Sequence, residues 1–108
     1  MRSKCIIAMV KPDLTDQVVN SAKQVGATGA TVIPASGTGQ HEAKTFFGLS
    51  LDIRTEVILF LVAGDMVESV LSAVKAAGRL HEPGTGIAFV LDVEQTVGLE
   101  SQLSGARP

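Results

Sequence analysis

The apolar residues of this chain gather into two kinds of run. Three stretches are nearly unbroken: CIIAMV within residues 3–10, VILFLVA within 54–63 and IAFVL within 87–93. None alternates apolar with polar, so each reads as a strand buried on both faces. TGATVIPAS (28–36) reads as another strand, and Pro34, with no N–H for a ladder, places it at an edge or a bulge. Two further stretches carry a helical period. In 13–26, Leu14, Val18, Ala22 and Val25 share one face, between Asp13 as a cap and Gly26 as a stop. In 65–78, Met66, Val70, Val74 and Ala77 do the same between Asp65 and Gly78. The stretch GTGQHEAKTFFGLSLD (37–52) has no clean period, and a loop of that length in a compact domain tends to be functional or mobile. RLHEPGTG (79–86) is a shorter loop.

The predicted order is βαββαβ. Laying Cys5–Gly26 over Val57–Gly78 without gaps matches Ile6 with Ile58, Val10 with Val62, Asp13 with Asp65, Val18 with Val70, Lys23 with Lys75 and Gly26 with Gly78. Strand, helix start, core position and helix stop coincide, so the chain reads as two copies of one βαβ plan. That plan builds an α+β, ferredoxin-like sandwich over residues 1–99: a four-stranded antiparallel sheet with two helices on one face. Residues 100–108 read as a loose tail. Two helices cover one sheet face only, and strands apolar on both faces leave the other in water. Soluble monomers rarely tolerate such a patch, so a symmetric homo-oligomer is expected.

Composition narrows the function. The 108 residues carry a net charge of −2, and the aromatic residues are four Phe with no Tyr or Trp. Neither a basic footprint nor a stacking platform for nucleic acid is present. Cys5 is the single cysteine, in an apolar run, and fits a reducing compartment as a small buried hydrophobe. No apolar run approaches the roughly 20 residues that cross a bilayer, and the N-terminus does not read as a signal peptide. A soluble cytoplasmic protein without direct membrane insertion is expected.

Three groups of residues could carry chemistry. The triplet Gly-Thr-Gly occurs twice, at Gly37-Thr38-Gly39 and Gly84-Thr85-Gly86. Each is either an ordinary turn or a ligand loop, because glycines let a ligand approach the backbone and successive N–H groups can cradle an anion. Neither is followed by the Lys-Ser/Thr of a P-loop. The two histidines each precede a glutamate, His41-Glu42 and His81-Glu82, beside these triplets. Both residue types ligate transition metals, but adjacent residues do not usually aim at one centre. Phe46 and Phe47 in the long loop read as core residues, at least one folded back, or as anchors for a partner, and Lys44 beside them as a contact for a phosphate or an acidic partner. Nucleophile elbows and zinc-protease spacings are absent, so no catalytic residue is assigned.

Several of these pieces, in order, resemble the nitrogen regulatory P-II (PII) signalling superfamily. They are Lys11-Pro12 after the first strand, VGATGATV at 25–32, GTGQ at 37–40, the second helix opening on an acidic residue, and PGTGIAFVLDVE at 83–94. The resemblance covers Lys4 to about Leu99. It implies a homotrimer with small-molecule sites in clefts between subunits, where adenine nucleotides bind as effectors and no cofactor is obligatory. Thr31, Gly37, Thr38, Gly39 and Gln40 would line one side of the ligand, and Gly84, Thr85 and Gly86 would give backbone donors from the other. The loop after the second strand would dock on a regulated partner, with membrane transporters among the partners implied. The pattern also departs from the family's. Ile87, Gly98 and Glu100 stand where nitrogen-sensing members have basic residues. Cations there grip phosphate oxygens, so AMP or ADP is expected over ATP. The runner-up reading is a metal-responsive trimer resembling copper-tolerance proteins, with His41 and His81 as ligands.

Overall fold

The strand sequences do not alternate, but their burial does. In a computed structural model that describes residues 2–36, 45–46, 49–50 and 54–99, strand β1 (Ser3–Val10) buries Ile6, Ala8 and Val10 completely. Cys5, Ile7 and Met9, between them, are only partly covered. The pleat sends successive side chains to opposite faces, so the two faces of one apolar run meet different surroundings.

The chain continues through α1 (Thr15–Gln24), β2 (Thr31–Ala35), two short strands β3 (Thr45–Phe46) and β4 (Leu49–Ser50), β5 (Thr55–Ala63), α2 (Val67–Ala77) and β6 (Ile87–Asp92). Four strands form an antiparallel sheet in the order β2-β5-β1-β6. β3 and β4 pair separately within the stretch that showed no period, where two-residue strands are too short to leave one. β2 is an edge strand, as Pro34 required, and spans 31–35 within the expected 28–36. Ile58, Phe60 and Val62 of β5 join the buried face of β1, and Val18 and Ala22 of α1 with Val70 and Val74 of α2 cover them.

The opposite face carries three cross-strand rows. Ile33–Val57–Met9–Ile87 runs across all four strands, as does Thr31–Leu59–Ile7–Phe89, and Leu61–Cys5–Leu91 spans three. Apart from Thr31 these residues are apolar, and no helix among the described residues covers them: Ile33 is 43% exposed, Leu61 43% and Leu91 48%. Partial burial on this face is enough to push the Cys5 thiol pKa up.

The internal repeat holds in three dimensions. A single 3₁₀ turn, Pro12–Leu14 or Gly64–Met66, precedes each helix at the same spacing. The residues before these turns share one conformation, with φ −67° and ψ 138° at Lys11 and φ −67° and ψ 149° at Ala63. These turns correct the expected caps. Asp13 and Asp65 lie inside them and make no capping hydrogen bond. The 3₁₀ geometry satisfies the free donors itself, for instance with Leu14 N–H to the Lys11 carbonyl at 2.9 Å. The aspartates contribute only their charge, near the positive end of each helix dipole.

Both helices end in the same kind of bond, from an N–H five residues on to a carbonyl of the last turn. Ala27 N–H reaches the Ala22 carbonyl (3.0 Å) and Leu80 N–H reaches that of Lys75 (3.0 Å). Gly26 supplies the positive φ (120°) that this ending needs. In the second copy that position is Arg79, at φ 57°, because α2 runs one residue longer. Gly78 therefore sits inside the last turn, where a Cβ would lie 3.0 Å from the Val74 carbonyl oxygen. Val25, placed on the apolar face of α1 by periodicity, is its C-terminal capping residue and is 39% exposed.

Phe60→Ala should cost about 3–5 kcal/mol of stability, since Phe60 is the largest of the fully buried side chains. Denaturant unfolding would measure it. At the sheet's rim Lys4 pairs with Asp92 and holds that carboxyl below the usual carboxylate range, first by hydrogen bonding and then by charge. The stabilisation is fully present above the ordinary carboxylate pKa and is lost as pH falls through the lowered one. Asp92→Asn is expected to make stability fall less steeply in acid, by pH-dependent denaturation.

Candidate functional site

Two connections leave the same end of the four-stranded sheet. β2 ends at Ala35, opposite Thr55 at the start of β5, and β6 begins at Ile87, opposite Met9 near the end of β1. The β2 end and the Gly84–Gly86 turn thus lie at one end of the sheet but on opposite edges, with β5 and β1 between them. At ordinary strand spacing that is about 14 Å. Thr31 opens β2 on the far edge, exposed and opposite Leu59. Within one protomer, then, the structure does not bring Thr31 to Gly84, Thr85 and Gly86. Gly37, Thr38, Gly39, Gln40, His41, Lys44 and Phe47 lie outside the described residues, and Phe46 is placed by its backbone in β3.

The turn before β6 is tightly built. It starts at Arg79, and Glu82 N–H donates to the Arg79 carbonyl at 3.0 Å. The buried Thr85 hydroxyl faces the carbonyls of Arg79 (2.6 Å) and Glu82 (2.9 Å), which share its one proton. The Thr85 side chain therefore closes the turn, and only its backbone is left to offer a ligand. Gly84 has φ 78° with open space around it, so conformation demands glycine there. At Gly86 the demand is spatial: a Cβ would stand 2.1 Å from the Met9 carbonyl oxygen. The loop backbone is pressed onto the end of β1 and held from within, so a ligand would meet a preformed surface.

Beside this turn opens a cleft of about 470 Å³. Glu68, Leu71, Ser72 and Lys75 of α2 form one wall, and Leu80 with Gly86–Ala88 forms the other. A smaller hollow of about 140 Å³ lies at the opposite end of the sheet, between Ser3, Thr28, Leu61–Ala63, Met66 and Leu99. It adjoins the VGATGATV segment that precedes and opens β2. Of this cleft's residues, sequence reasoning had assigned Gly86 to a site but not those of α2. A signal existed: positions 68, 71, 72 and 75 follow the i, i+3, i+4, i+7 rule for one helix face. It was masked by the stronger apolar face at Val70 and Val74.

The histidine candidates fare differently. His81 Nε2 lies 3.7 Å from Glu82 Oε2, with both side chains exposed, and the contact is an ion pair only when His81 is protonated. Among the described residues no group of three or more His, Cys, Asp or Glu side chains comes together. No helix among them is long and apolar enough to cross a membrane.

Comparison with known proteins gives a consistent result. A family model described as nitrogen regulatory protein P-II matches residues 3–102. A nitrogen regulatory protein P-II of Bradyrhizobium diazoefficiens is 31% identical over 107 residues, covering 94% of this chain and 96% of the relative. Nitrogen regulatory protein GlnK2 of Haloferax mediterranei is 30% identical over 107 residues, covering 94% and 87%. Among solved structures, Arabidopsis thaliana PII bound to citrate matches with a TM-score of 0.72 at 26% identity, over 93% of this chain and 85% of that one.

The turn can be tested by substitution. Gly86→Ala should destabilise by about 1–3 kcal/mol, because the Met9 carbonyl belongs to a central strand and has little room to move. Thr85→Val should cost about 1–3 kcal/mol by leaving the Glu82 carbonyl without this donor. Chemical denaturation reads both, and an unchanged midpoint for Gly86→Ala would contradict the close approach.

Proposed function

The chain belongs to the nitrogen regulatory protein P-II family, and from that premise we propose that this signal-transduction protein works as a homotrimer. In this reading it binds an adenine nucleotide in the clefts between subunits and controls a partner protein through residues 37–52. The observation that carries the reading is the uncovered sheet face. Its apolar rows gain by burial at about 25 cal/mol per Å², and no helix among the described residues supplies that cover. Copies of the same face, packed around a closed symmetry axis, do.

Assembly also supports the ligand site. The β2 end and the Gly84–Gly86 turn occupy opposite edges at one end of the sheet. They come together over one ligand where the β2 edge of one subunit adjoins the β6 edge of the next. Thr31, Gly37, Thr38, Gly39 and Gln40 then approach from one subunit, and the backbone of Gly84, Thr85 and Gly86 from the other. Ile87 and Gly98 are neutral and Glu100 is acidic, so a triphosphate meets fewer cations than in nitrogen-sensing members, and AMP or ADP is favoured over ATP. The citrate in the Arabidopsis thaliana PII structure makes small polyanions a second effector class to test.

Control of the partner needs no catalytic residue. It needs ligand contacts that differ between two states of the 37–52 segment, which carries Lys44, Phe46 and Phe47 as partner contacts. A membrane transporter is the first partner type to test.

Sedimentation at micromolar concentration is expected to give a three-chain particle, and a stable monomer overturns the assembly. Titration calorimetry with AMP, ADP and ATP, with and without magnesium, is expected to saturate near one nucleotide per subunit. AMP or ADP should bind at least as tightly as ATP. No heat with any of the three, together with an unchanged melting temperature, overturns the adenine reading.

A further inference from the structure

The cleft beside the Gly84–Gly86 turn has a chemistry that the turn itself lacks. From Gly84 to Ala88 the chain carries no charged side chain, so on its own this segment offers an anion only backbone dipoles. The cleft adds a cation. Lys75 lines it, together with Ser72 and the backbone at Gly86, while Leu71, Leu80 and Ala88 supply apolar surface. Among the described residues the Lys75 ammonium has no hydrogen bond or ion pair. The one acidic liner, Glu68, stands two turns back along α2, about 10 Å away along the axis. The cleft is therefore polarised, cationic towards the turn and anionic away from it. A cation in the last turn of α2 also offsets the negative end of the helix dipole, which would otherwise repel an anion.

We infer that Lys75 binds the anionic group of the ligand held at the Gly84–Gly86 turn, with the Ser72 hydroxyl and the turn backbone as neutral donors beside it. The chemical class is a phosphorylated or carboxylated small molecule whose uncharged part lies against Leu71, Leu80 and Ala88. The inference rests on the reading of this turn as a ligand site, and it deepens that reading by naming the cation.

The internal repeat supplies the control. Lys23 occupies the equivalent position in α1 and lines neither cleft. Lys75→Ala and Lys23→Ala remove the same charge from equivalent exposed helix positions, and alanine is the best helix former. Calorimetry of the full chain would use ADP, adenosine and pyrophosphate. Lys75→Ala is expected to weaken ADP roughly 10- to 100-fold, the range for a lost charge-assisted hydrogen bond. It should leave adenosine unchanged, and Lys23→Ala should leave both unchanged. ADP bound equally by Lys75→Ala and the natural protein overturns the inference, and so does an equal loss of ADP and adenosine. If the natural protein ignores ADP and adenosine but binds pyrophosphate through Lys75, the adenine reading falls and this inference stands. Binding of none of the three overturns both.

Discussion

Strand β1 is apolar on both of its faces, and the rest of the structure follows from that. Its neighbours β5 and β6 satisfy its backbone, and α1 and α2 bury Ile6, Ala8 and Val10. The other face, with Cys5, Ile7 and Met9, is only partly covered by the described residues. The end of β1 sets a second condition, because the turn before β6 lies so close to the Met9 carbonyl that only glycine fits at position 86. Core, uncovered apolar face and glycine turn thus meet on one strand.

The duplicated plan explains why the two halves match and where they part. Burial repeats from Ile6, Val10 and Val18 to Ile58, Val62 and Val70, and the 3₁₀ turn repeats before each helix. The halves diverge after the helices. Gly26 turns α1 towards β2, whereas Arg79 turns α2 into the hydrogen-bonded loop that carries Gly84 and Gly86. A helix one residue longer is enough to shift the left-handed position from glycine to arginine. The proposed ligand chemistry sits on the divergent segment, while the shared segments build the core.

Much of the fold was legible because it depends on burial and backbone chemistry, both of which leave marks in the sequence. Unbroken apolar runs marked the strands, Pro34 marked an edge, and the 52-residue repeat marked the βαβ plan. The helix starts were misread for a reason of geometry. Aspartate near a helix start signals a cap, but whether it caps depends on a few hydrogen bonds that a 3₁₀ turn can take over. Thr85 shows the same limit: the sequence marks it as part of a loop, and only the structure shows its hydroxyl turned inward.

The sequence by itself determined the element order, the antiparallel plan, the apolar character of both sheet faces, and the two Gly-Thr-Gly segments. These are properties of local pattern, and local pattern survives without coordinates. Only the tertiary structure decided that β2 and β6 lie on opposite edges of the sheet, and that Lys75 of α2 and Gly86 before β6 line one cleft. Those relations arise from strand order and helix rotation, which bring together residues whose separation along the chain says nothing about their distance in space.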